Sequence, residues 1–137
     1  MKTFYREVSL DSHANRELID ITAAVLGVVK DSGIEGGLCL VYSTHTTASI
    51  VVNENEEGLM RDIANKLAED FPRRGTWLHN LIDDNAHSHL AGTYLGPSVV
   101  LPVRDGVLAL GEFQSIFFLE LDGPRLMRKV VVEVLGE

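Results

Sequence analysis

His45 is the first residue whose surroundings suggest chemistry. It stands in Ser43-Thr44-His45-Thr46-Thr47, five successive hydroxyl or imidazole side chains between the apolar runs 38–42 and 49–52. A neutral imidazole there could accept a proton or bind a metal, and the flanking hydroxyls could hold phosphate oxygens. The plain alternative is a turn whose hydroxyls bond local backbone around an incidental histidine. A second cluster is Asp83-Asp84-Asn85-Ala86-His87-Ser88-His89. If that segment is extended, His87 and His89 point to one side and can share a metal such as Zn²⁺ with His45. On a helix, positions i and i+2 diverge and only one joins the site. The alternative is a solvated acidic loop in which Asp84 or Asn85 caps a helix.

Polar residues also interrupt apolar sequence. Asn53-Glu54 follows Ile50-Val51-Val52, and Glu120 lies within Phe117-Phe118-Leu119-Glu120-Leu121. Burying a carboxylate without a partner is expensive, so Glu120 is expected to face water, pair with a base or serve a site. Strand alternation puts Glu120 and Phe118 on one face and Leu119 and Leu121 on the other. Gln114 precedes this run and Arg125 follows its turn, where a guanidinium fork suits a phosphate. Trp77 reads as a loop or interface anchor. His13 and His79 have no partner nearby in sequence and read as surface residues.

The elements that must position these groups follow from periodicity. Residues 2–10 read as a strand. A helix is expected from about Arg16, capped by Ser12 or Asn15, with Leu18, Ile21, Thr22, Val25, Val28 and Val29 at helical spacing and Gly33 at its end. Residues 38–42 and 49–53 read as strands. A second helix spans about 56–70, with Met60, Ile63, Leu67 and Phe71 as its apolar stripe. Residues 72–86 read as a loop, and 87–95 as a short segment with helical character. Strands at 98–103 and 107–110 flank the hairpin signal Arg104-Asp105-Gly106, and further strands are expected at 116–121 and 129–135. About seven strands and two main helices, in the order β-α-ββ-α-ββββ, predict a single α+β domain with helices against a mixed or antiparallel sheet. No Gly-rich dinucleotide or P-loop fingerprint is present.

Composition limits the function classes. The chain has 137 residues, 45% hydrophobic and 23% charged, the range of an ordinary globular domain. Its net charge of −8 lacks the basic surplus that binding to nucleic acid requires, while a local basic pocket for a small anion stays open. Cys39 is the only cysteine and reads as a small core hydrophobe. The first residues show no apolar signal stretch, and no run approaches the ~20 apolar residues of a membrane span, so a cytoplasmic protein without a membrane partner is expected.

Taken together, four blocks resemble a known family. They are Tyr42-Ser43-Thr44-His45-Thr46-Thr47-Ala48-Ser49-Ile50-Val51-Val52-Asn53-Glu54-Asn55, then Asp84-Asn85-Ala86-His87-Ser88-His89-Leu90 with Leu95-Gly96-Pro97-Ser98, then Leu110-Gly111-Glu112-Phe113-Gln114, then Glu120-Leu121-Asp122-Gly123-Pro124-Arg125. In that order and spacing they are similar to YjbQ-type proteins, a family of secondary thiamine-phosphate synthases. The resemblance implies a compact α+β subunit, a β-sandwich with two main helices, assembled as a homotrimer with sites near subunit boundaries. It implies catalytic roles for His45, His89 and Glu120 and substrate contacts from Thr47, Asn53, Glu54, Gln114 and Arg125. It also implies a small phosphorylated metabolite as partner, Mg²⁺ for a diphosphate substrate, and no organic cofactor. The sequence departs from the family at Glu112-Phe113, where Thr-Trp is typical. Two other functions stay open: a metal-assisted hydrolase or lyase with His45, His87 and His89 as ligands, and a non-catalytic trimeric binder of a small ligand.

Overall fold

The computed structural model describes residues 1–137. In chain order the elements are β1 (Lys2–Leu10), β2 (Glu17–Asp20), α1 (Thr22–Ser32), β3 (Gly37–Ser43), β4 (Ala48–Asn53), α2 (Glu57–Asp70), a 3-10 turn (Leu78–Leu81), α3 (Ala86–Leu95), β5 (Ser98–Arg104), β6 (Val107–Leu108), β7 (Ser115–Glu120) and β8 (Arg128–Gly136). They form a five-stranded sheet, β1-β8-β3-β5-β6, and a three-stranded sheet, β2-β7-β4. Every pairing is antiparallel.

The large core lies where α1 meets both sheets. Val25, Val28 and Val29 of α1 pack with Cys39 and Val41 of β3, with Val130, Val132 and Val134 of β8, and with Ile50, Ile116 and Phe118 of the smaller sheet. The other face of β7, carrying Phe117 and Leu119, packs with Leu18, with Leu67 of α2 and with Ala91 of α3. The three-stranded sheet is therefore covered on both faces, which explains why 116–121 is apolar almost without alternation.

The sequence-based expectations hold for most elements, with two corrections. The first concerns the helix expected from Arg16. Residues 17–20 are instead a strand, paired from Glu17↔Glu120 to Asp20↔Phe117, and the helix begins at Thr22. As a strand the segment buries Leu18 against one core while Ile19 packs against the other, and β7 supplies backbone partners. The expected caps are engaged elsewhere: Ser12 donates to Glu120 and Asn15 donates to the Gly123 carbonyl. The Asp20 carboxylate instead accepts the N–H of Thr22, the first residue of the helix. The short segment expected to have helical character at 87–95 is helix α3, alongside the two main ones. The second correction is the turn of 3-10 helix within the expected loop.

Two glycines are required by close approach. Gly37 and Gly136 face each other across the β3–β8 ladder at φ +156° and +154°, and a Cβ on Gly37 would lie 2.0 Å from the Leu135 carbonyl oxygen. No helix is long and apolar enough to cross a membrane.

Candidate functional site

The polar residues between β3 and β4 bend around the buried Ser43 hydroxyl, which accepts the His45 N–H at 3.2 Å. The half-buried His45 ring lies edge-on to Phe118, and its Nε2 accepts the backbone N–H of Lys129 at 2.8 Å. That bond fixes the tautomer: in the neutral ring the proton sits on Nδ1. Burial, together with the nearby positive charges of Arg128 and Lys129, lowers the His45 pKa below the ordinary histidine value; Glu120 opposes them in part.

Glu120 is fully buried at the end of β7. Its Oε1 accepts from the Ser12 hydroxyl at 2.6 Å and from Arg128 Nε at 2.8 Å. Its Oε2 accepts from Arg128 Nη2 and from the N–H groups of Leu121 and Asp122, each at 3.1 Å. Burial alone would raise this carboxyl's pKa, but the hydrogen bonds from Arg128, Ser12 and Asp122 outweigh it and lower the value, so Glu120 stays ionised. Arg128 also donates to Thr47 Oγ1 at 3.0 Å. Glu120 and Arg128 thus form a strut from β7 through β8 to the segment that carries His45. With its oxygens saturated, Glu120 supports the site rather than acting as a free base.

Arg128 is the functional neighbour that reading the sequence missed, although a signal was there. Alternation along β8 places Arg128 on the same inward face as Val130, Val132 and Val134. An arginine in that register announces a buried anion.

The helical alternative decides the second cluster. Helix α3 turns His87 inward, where its Nε2 lies 3.3 Å from Ser88 Oγ and its Nδ1 has no partner. His89, two residues on, faces outward and lines a pocket of about 300 Å³ with His45, Thr46, Gly92 and Thr93. The three-histidine set is therefore not brought together, and no three His, Cys, Asp or Glu side chains in the chain gather as a metal-binding group. Burial and the charges of Arg16 and Arg73 lower the His87 pKa.

The remaining expected residues divide into two groups. Arg125 lies near the strut: Ser12 Oγ accepts its N–H at 2.8 Å, and its guanidinium grips Asp122 through Nη2 at 2.8 Å. Asn53, Glu54 and Gln114 lie elsewhere, because β4 runs from Ala48 beside the strut to Asn53 at its far end. Asn53 Oδ1 accepts the Glu54 N–H there, Asn53 pairs with Ser115, and the neighbouring Gln114 side chain folds onto the Gly111 N–H. Within one chain these three do not reach His45. His79, read as an isolated surface residue, instead stacks edge-to-face on His89 at 4.7 Å and bonds Asn85. Nothing in local spacing signals that contact, since the loop that folds His79 back has no periodicity.

The model of one protein family, described as UPF0047 protein YjbQ-like, matches residues 6–137. A UPF0047 protein of Methanothermobacter thermautotrophicus is 45% identical over all 137 residues and 95% of its own length. The UPF0047 protein YugU of Bacillus subtilis is 36% identical over 88% of this chain and 90% of its own. Among solved structures, a YbjQ-like protein of Sulfolobus solfataricus superposes with a TM-score of 0.98 at 48% identity, covering 99% of each chain. The chain belongs to the YjbQ-like UPF0047 family.

Proposed function

We propose that the protein is a thiamine-phosphate synthase acting at the His45–His89 pocket. In this reaction the C–O bond of a pyrimidine methyl diphosphate breaks, pyrophosphate leaves with the electron pair, and the thiazole nitrogen of the second substrate forms the new C–N bond. The transition state places negative charge on the departing pyrophosphate, which positioned N–H donors stabilise. The observation that carries the reading is His45 held with its proton on Nδ1 beside His89 in a pocket that Thr46 and Thr93 also line. His45 and His89 serve as donors to the diphosphate, and Arg125 contacts the phosphate of either substrate. Mg²⁺ enters with the pyrophosphate group. Glu120 is a positioning residue, acting through Arg128 and Thr47.

The working form of the site is a homotrimer. Leu78, Leu81 and Ile82 are 82%, 86% and 87% exposed in one chain, an apolar patch that a second copy would cover. Asn53, Glu54 and Gln114 then contribute to a site across the boundary.

Synthesis of thiamine phosphate from the two purified precursors with Mg²⁺ tests the reading. Turnover by the wild-type protein, lost in folded His45→Ala and His89→Ala, is expected. Absence of turnover in well-folded wild-type protein across a range of metals would refute it.

A further inference from the structure

Sharing His89 with the His45 pocket, the 3-10 turn, the residues before it and α3 line a second, open pocket of about 330 Å³ formed by Thr76, Trp77, Leu78, His79, Ala86, His89 and Leu90. We propose that it is a compartment of the same site, built for a planar nitrogen heteroaromatic ring that carries an N–H donor, with His79 as the acceptor. The inference rests on the synthase reading only for the identity of the ring.

The orientation of His79 follows from a chain of obligatory donors and acceptors. The Asp122 carboxylate only accepts; it takes Arg125 Nη2–H and Asn85 Nδ2–H, each at 2.8 Å. The Asn85 amide is therefore set with its oxygen toward His79 Nε2, 3.1 Å away, and that nitrogen must donate. In the neutral ring, Nδ1 is then a lone pair. Asn85 and Asp122 are 7% and 9% exposed, so this relay is a built support rather than a surface accident.

The walls complete the argument. Trp77 spends its indole N–H on the Pro72 carbonyl at 3.0 Å and offers the pocket only apolar ring surface. Leu78 and Leu90 add apolar walls. Thr76 and His89 are the other polar residues of the lining. Largely apolar walls with an acceptor fixed at His79 favour an aromatic ring with a donor on its edge. His89 lines both pockets, so a ligand crossing it places its anionic end at His45 and its ring at His79. An aminopyrimidine has that donor as its exocyclic amine.

The test is calorimetric titration of the intact protein with 4-amino-5-hydroxymethyl-2-methylpyrimidine, with its analogue bearing methyl in place of the amine, and separately with Mg²⁺-pyrophosphate. Trp77→Ala and His79→Phe are expected to weaken the aminopyrimidine about tenfold or more while leaving pyrophosphate within about twofold. The methyl analogue is expected to bind wild type about tenfold more weakly than the amine, a comparison that needs no variant and holds even if one folds poorly. Equal binding of the amine to wild type and both variants, or of amine and analogue to wild type, overturns the compartment, as does no binding to wild type. Turnover in parallel separates the two readings. Undiminished synthesis by His79→Phe overturns the compartment and leaves the synthase, whereas amine binding through His79 without any synthesis overturns the synthase and leaves the compartment.

Discussion

His45 and the Glu120–Arg128 pair show how far one side chain's role depends on the atom opposite it. Protonating His45 on Nε2 would set an N–H against the Lys129 N–H, in addition to the burial and positive charge already opposing it. NMR titration of the imidazole resonances should therefore give His45 a midpoint below about 6.5, the unperturbed value. Removing Arg128 should be severe, because the fully buried Glu120 would lose its main partner and either stay charged at high cost or have to take up a proton. Arg128→Met is expected to cost about 3–5 kcal/mol by urea denaturation at fixed protein concentration, and Glu120→Gln combined with Arg128→Met should recover part of it. Recovery would show that the single variant suffers from a stranded charge rather than from lost packing. The candidate site was legible to the same degree. His45 and Glu120 stand out because they break an apolar pattern, and Arg128 is readable once β8 is given a face. His79 is legible only in three dimensions.

Among the elements, α3 and the β3–β4 connection set the spacing of the two pocket histidines. Gly92 lies where they touch: a Cβ there would come 3.2 Å from the Thr46 carbonyl oxygen and 3.8 Å from a Leu121 methyl. Both neighbours are held, one of them by the backbone, so a branched side chain has to push the helix outward. Gly92→Val is expected to destabilise by about 1–3 kcal/mol and to abolish turnover, whereas an exposed control such as Leu95→Ala should leave turnover intact. Circular dichroism melts and the precursor assay check both. The longer strands and α2 were readable because each keeps an alternating, continuously apolar or helical pattern over most of its length, and Glu56 caps α2 by accepting the Gly58 and Leu59 N–H groups. β2 was not, because its four residues run into a true helix. Leu18 and Ile21 fit the helical spacing until β7 competes for the backbone.

For the whole molecule, pH and assembly give the clearest tests. His45 and His87 both have folded-state pKa values below the ordinary one, so as the medium acidifies the unfolded chain takes up protons first. Their stabilising contribution is complete above about pH 6.5 and shrinks as pH falls through the folded values, so the melting temperature should drop between pH 7 and pH 5. Replacing His87 by Phe should flatten that slope. If a second copy covers the apolar patch, Leu81→Asp should lower the sedimenting mass from trimer toward monomer while far-UV dichroism stays unchanged.

The strand order has a consequence for synthesis. β1 has one partner, β8, in which Leu10 meets Arg128 and Lys2 meets Gly136. At 5–20 residues per second, a ribosome needs roughly ten seconds to travel from one to the other. Throughout that interval β1 waits beside an empty slot, and β3 presents one bare edge to the same slot. Such edges recruit foreign strands. The last strand enters between the first and third and closes both ladders together, so a nascent chain stalled before residue 128 would have the greatest need of a chaperone.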